Sequence, residues 1–134
     1  MEGKINNKRV LITGASKGLG SVCAKEFADR GARLMICGRN VKKLEESRQT
    51  FPDPDSHRVF AGDLTCPEIC KDLVGQAMNF LGGFDVIVHV AGGGYGFRDP
   101  LLTWDQMNTL FKVNIASAAE INRLLKNQLS KDKS

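Results

Sequence analysis

The chain has 134 residues, a length that argues for one domain and suffices for a hydrophobic core without disulfides or metal. Hydrophobic and charged fractions of 42% and 25% exclude a disordered chain, and no apolar run is long enough to span a bilayer. The net charge of +4 comes from cations spread along the chain without a basic stripe of interleaved aromatics, which argues against nucleic acid. The polar start MEGKINNKRV lacks the apolar middle of a signal peptide, so a cytoplasmic protein is expected.

Residues 8–13 (KRVLIT) read as a short, β-branched strand. A glycine-rich turn occupies 14–20. Residues 18–30 then show helical spacing, with Leu19, Cys23 and Phe27 on one face and Gly31 at the end. Residues 32–37 (ARLMIC) are a second buried strand, and 40–51 a charged amphipathic helix with Asn40 as its cap. FPDPDS is a turn-rich loop, and 57–63 (HRVFAGD) is a third strand. Thr65 and Glu68 form a capping box with Pro67 in the first turn, for a helix running to about Leu81. Gly82 and Gly83 break it before a fourth apolar strand at 84–92 (FDVIVHVAG). A long loop follows, then a second capping box at Thr103 and Gln106, opening a helix to about Leu129.

Four strands alternating with four helices predict an α/β fold, a doubly wound parallel sheet of Rossmann-like type that stops after β-α-β-α-β-α-β-α. Ligands of such sheets sit at the carboxyl ends of the strands. The segments 14–20, 38–40 and 91–94 all fall there. The cysteines at 23 and 37 lie in buried helix and strand patterns. Cys66 and Cys70 share a helix face, as half of a metal site or, more simply, as free thiols of a reducing compartment; no metal centre is expected.

A strand turning directly into a helix aims free N–H groups and the positive end of the helix dipole at the turn, which favours an anion. The spacing Gly14-x-x-x-Gly18-x-Gly20 differs from the Gly-x-Gly-x-x-Gly dinucleotide pattern and from the P-loop. A tight packing turn without ligand is the alternative. At the end of the second strand, a carboxylate would grip a ribose 2′-hydroxyl and an arginine would accommodate a 2′-phosphate. Here stands Arg39, and Lys17 lies in the first turn. Unless both are solvated surface charges, they argue for NADP(H) over NAD(H).

Thr13-Gly14-x-x-x-Gly18-x-Gly20, with GDLT at 62–65 and VNIAS at 113–117, resembles the N-terminal half of the short-chain dehydrogenase/reductase family, from about Lys8 to at least Leu129. The resemblance implies an NAD(P)-binding Rossmann domain over 1–134, incomplete and without a second domain. It implies that Gly14, Gly18 and Gly20 shape the turn, and that Ser16, Lys17 and Leu19 line the phosphate and ribose side of the cofactor. Arg39 would face the 2′-phosphate. Asp63, followed by Leu64, would bond the adenine amino group, and Ala91 and Gly92 would lie beside the ribose. Asn114 would help hold a water in a proton relay. Helix 104–129 resembles the one that packs between subunits in this family, which allows a homo-oligomer.

Two departures stand out. The two asparagines of the family's Asn-Asn-Ala-Gly motif are His89 and Val90, with His89 read as a strand-end histidine in preference to a base. The GGGYGF loop after it is glycine-rich enough to shape a substrate entrance. The family's acid is a tyrosine with a lysine four residues later, assisted by a serine upstream. The single tyrosine here is Tyr95, with Asp99 four residues on. Without that acid, hydride transfer lacks its proton donor. The expectation is the N-terminal portion of an NADP(H)-dependent oxidoreductase, not competent alone, with strand 84–92 left at a sheet edge. The alternative is a non-enzymatic module for NADP(H) binding or subunit pairing. In this family the substrate pocket belongs largely to the C-terminal half.

Overall fold

The computed structural model describes residues 5–90 and 101–126. Strands β1 (Arg9–Thr13), β2 (Arg33–Gly38), β3 (Arg58–Ala61) and β4 (Val86–His89) form one parallel sheet in the order β3-β2-β1-β4. The connecting helices are α1 (Gly18–Asp29), α2 (Val41–Gln49) and α3 (Pro67–Leu81). After β4 come α4 (Trp104–Phe111), a π-helical turn (Lys112–Ala116) and α5 (Ser117–Leu125).

Strand β1 lies inside the sheet, so both its faces must be apolar. Val10 and Ile12 pack with Ala24 and Ala28 of α1, Leu44 of α2, and Leu34 and Ile36 of β2. Leu11 points the other way, to Met35, Cys37, Leu73 and Ala77 of α3, and Ile121 and Leu125 of α5. This two-sided cover explains why the strands read as continuous apolar runs. Each buried Leu or Ile contributes roughly 1.5–3 kcal/mol relative to exposure.

The register of β1 against β4 is held at its start. Arg9 donates through its backbone N–H and its Nε to Asp85 Oδ2 at 2.9 and 3.0 Å, and through Nη2 to Oδ1 at 3.2 Å. Asp85 N–H donates back to the Arg9 carbonyl at 2.9 Å. The guanidinium holds the Asp85 carboxyl below its ordinary range. On the far side of the sheet, buried His57 accepts the Leu34 N–H on Nδ1 at 3.1 Å. Its Nε2 then carries the proton and donates to the Pro52 carbonyl at 3.1 Å, with the ring edge-on to Phe51. The FPDPDS loop, which contains a short 3-10 turn (Pro54–Ser56), is thereby tied to β2.

Several local expectations are corrected. The inward face of α1 is Gly20, Ala24 and Ala28, whereas Leu19 is 68% exposed and Cys23 and Phe27 are half-buried. Close approach of helix to sheet selects small residues, since a Cβ at Gly20 would run into the Gly14 carbonyl. The Thr65–Glu68 capping box does not form. Pro67 occupies the first helical position, which puts Cys66 at the cap and Glu68 one place too early to reach back. The Thr65 N–H donates instead to Asp63 Oδ1 at 3.0 Å. Cys66, at the cap of α3, is exposed while Cys70 is buried in the core. The helix after Thr103 is interrupted by its π-helical turn, and its expected end near Leu129 lies outside the described residues.

The other two caps form as expected. Asn40 Oδ1 accepts the Lys43 N–H at 3.1 Å. Thr103 Oγ1 accepts the Gln106 N–H at 3.1 Å, while Gln106 Oε1 accepts the Thr103 N–H at 2.9 Å. Among the described strands, β4 has a neighbour on one side only, and Val86, Ile87 and Val88 are half-buried.

Candidate nucleotide-binding site

The carboxyl ends of the strands open into a cavity of about 800 Å³. Its floor is the turn from β1 to α1. Gly14 at φ +67° reverses the chain, and Gly18 at φ +59° opens the helix, both in the left-handed region that suits glycine. The Ala15 N–H donates to the Cys37 carbonyl at 2.8 Å, fixing this turn to the end of β2. The Gly62 N–H donates to the Gly38 carbonyl at 2.9 Å, bringing the end of β3 alongside.

The start of α1 is open to an anion. Lys17 is the cap residue and its side chain makes no capping hydrogen bond; among the described residues no side chain accepts from the first turn, and that turn contains no acid. The helix N–H groups therefore point into the cavity without a side-chain acceptor. Ser16 Oγ is buried and has no hydrogen-bond partner among the described residues, and a Cβ on Gly38 would collide with it. A buried hydroxyl without a partner is costly unless a ligand completes it.

The charged residues lining the cavity among the described ones are Lys17, Arg39 and Lys43, all cations. Leu19, Val41, Leu64, Val90 and Val113 supply apolar wall. Exposed Leu19 and Val41 flank the charged rim, as expected where flat rings and phosphates meet the same cleft. Free donors, cations, apolar walls and close backbone approach together fit a dinucleotide.

Most of the expected site residues meet here. Gly14, Ser16, Lys17, Gly18, Leu19, Arg39 and Leu64 line the cavity. Gly20 lies beneath it, packed on Gly14. Asp63 stands exposed between lining Gly62 and Leu64, with Oδ1 accepting from Thr65 N–H. Ala91, Gly92, Tyr95 and the rest of the glycine-rich loop lie outside the described residues. Asn114 is exposed on the π-helical turn, next to lining Val113, and its Nδ2 donates to the Leu110 carbonyl at 2.9 Å. Such turns recur at functional positions in helices. His89 Nε2 lies 2.8 Å from Asn122 Oδ1, which ties the end of β4 to α5.

Sequence reasoning missed Lys43. Its signal was its place in the first turn of a helix that starts at the carboxyl end of a strand. The buried thiols offer no nucleophile: desolvation pushes Cys37 up to about 12 and raises Cys70 as well.

The family model for short chain dehydrogenase matches residues 8–134. A hydroxysteroid 11-beta-dehydrogenase 1-like protein B of Xenopus laevis is 37% identical over 124 residues, covering 86% of this chain and 43% of the relative. L-sorbose reductase of Gluconobacter frateurii, solved with NADPH and L-sorbose, superposes with a TM-score of 0.79 at 25% identity, over 92% of this chain and 48% of that one. The 3-ketoacyl-(acyl-carrier-protein) reductase of Brucella melitensis, solved with NADH, gives 0.82 at 25% identity, over 92% and 51%. The chain thus spans about half the length of the relatives it matches. Among the described residues, no helix is long and apolar enough to cross a membrane.

Proposed function

The chain belongs to the short-chain dehydrogenase family, and we propose that it is the nucleotide-binding portion of an oxidoreductase that uses NADP(H) in preference to NAD(H). The observation that carries this reading is the charge of the cavity: Lys17, Arg39 and Lys43 line it, and no carboxylate is among its described lining residues. A ribose 2′-hydroxyl is met by an acid, whereas a 2′-phosphate is met by cations. In this reading Gly14, Gly18 and the start of α1 receive the pyrophosphate, Ser16 completes its hydrogen bonding on the cofactor, and Arg39 and Lys17 meet the 2′-phosphate. Asp63 takes the adenine amino group, Ala91 and Gly92 border the ribose, and Asn114 holds a relay water.

The bound cofactor supplies hydride exchange with a carbonyl or alcohol. The proton is supplied by a tyrosine with a lysine four residues on, a pattern this sequence does not contain. The activity is therefore assigned to a protein that adds such a segment. Calorimetric titration of the 134-residue chain with NADPH and NADH tests the cofactor reading. Tighter NADPH binding is expected; equal affinity or NADH preference would overturn it.

A role in subunit pairing is favoured by one observation. Trp104, Met107, Phe111 and Ile115 follow one another at three- and four-residue spacing, each more than half exposed. This stripe is the surface through which we assign a homo-oligomer, and sedimentation of Phe111→Ser beside wild type tests it. The free thiols of all four cysteines support a cytoplasmic setting.

A further inference from the structure

We infer that Lys43 is a third cation of the phosphate subsite and helps set the preference for the 2′-phosphorylated dinucleotide; this rests on the NADP(H) reading above. Helix α2 starts where β2 ends, so its first turn faces the same cavity as Arg39. The Asn40 cap takes up the Lys43 backbone N–H at 3.1 Å. What Lys43 offers a ligand is therefore its ammonium. That side chain is exposed, lines the cavity, and makes no ion pair with a described residue, whereas the nearby pair on α2 joins Arg48 to Glu45 at 2.9 Å. Lys42 precedes it by one position, about 100° around the helix, and does not line the cavity.

Lys17, Arg39 and Lys43 come from three separate places: the cap of α1, the end of β2 and the first turn of α2. Their convergence on one cavity is more than a neutral ribose requires and matches a phosphate dianion. The unpartnered Ser16 Oγ, buried against Gly38 at the foot of this corner, points independently to a polar ligand there. Lys43 acts at longer reach than Arg39, from a flexible stem, as a point charge.

The test titrates the 134-residue chain and its Lys43→Met, Lys43→Arg and Lys42→Met variants with NADPH, NADH and adenosine 2′,5′-bisphosphate, with a melting curve for each. Lys43→Met is expected to weaken NADPH and the bisphosphate roughly fivefold while NADH changes less than about twofold. Lys43→Arg keeps the preference, and Lys42→Met leaves all three ligands unaffected. If wild type prefers NADPH and Lys43→Met binds it equally well, the role of Lys43 is wrong while the cofactor reading stands. An equal loss for NADPH and NADH also overturns the discriminating role. If wild type shows no preference, the cofactor reading itself fails. Should Lys43→Met melt early, Lys43→Gln replaces it in the same comparison.

Discussion

Ser16 places its hydroxyl over the bare Cα of Gly38, so that the first turn and the end of β2 interlock where a side chain at position 38 would collide. The hydroxyl is buried there without a partner, an arrangement that makes sense if a ligand supplies one. Gly38→Ala should rotate Ser16 away and weaken NADPH and NADH alike. Ser16→Ala should weaken both, and the double variant should lose less than the two single losses together, because both act on one contact. Titration of the four chains checks this; unchanged affinity in Gly38→Ala would remove Ser16 from the site.

Arg9 and Asp85 exchange three hydrogen bonds through the acid and a fourth through the backbone. Asp85→Ala should cost about 1–3 kcal/mol of stability by urea unfolding. The folded-state pKa of Asp85 is depressed, chiefly by the side-chain hydrogen bond from Arg9. Its stabilisation is therefore complete above the unfolded value near pH 4 and is lost as pH falls through the folded one. Asp85→Ala should flatten the stability profile below about pH 4.

His57 acts in a different window. Burial lowers its pKa, and Nδ1 must stay unprotonated to accept the Leu34 N–H. As pH falls below about 6.5, the unfolded chain takes up a proton that the folded chain resists. Stability should decline as pH drops from about 6.5 toward 5, and His57→Phe should remove that slope while leaving the Asp85 window in place. A wild-type urea midpoint that stays flat across this range would rule out a buried neutral histidine.

The cysteines should react in the order of their burial. Cys66 is exposed, Cys23 half-buried, and Cys37 and Cys70 buried with raised pKa. Iodoacetamide mapping should label Cys66 first and Cys37 and Cys70 only on unfolding. Early labelling of Cys70 would mean that α3 is not packed on the sheet as described.

The parallel sheet and the cavity floor were legible because buried parallel strands leave continuous apolar runs, and because glycines mark the turn after β1. The inner face of α1 was misread because apolar weight points to Leu19 and Phe27, while close packing selects Gly20, Ala24 and Ala28. Leu19 is apolar for the cavity, not for the core. The Thr65 box failed because proline chooses its own helical position. The π-helical turn at Lys112–Ala116 has no local composition signal, so Asn114 could be matched to a motif but not placed on a helix irregularity. Lys43 was hidden among the charges of an amphipathic helix.

The most direct measurement is the NADPH affinity of Arg39→Ala beside wild type, with NADH as the internal control. Arg39 stands exposed at the rim of the cavity, next to the first turn of α2. Loss of its guanidinium should cost about 1.5–3 kcal/mol of NADPH binding, nearer the lower end for an exposed group, while NADH changes little. An Arg39→Ala chain that binds NADPH as tightly as wild type, or loses NADH equally, would be incompatible with a 2′-phosphate at this corner.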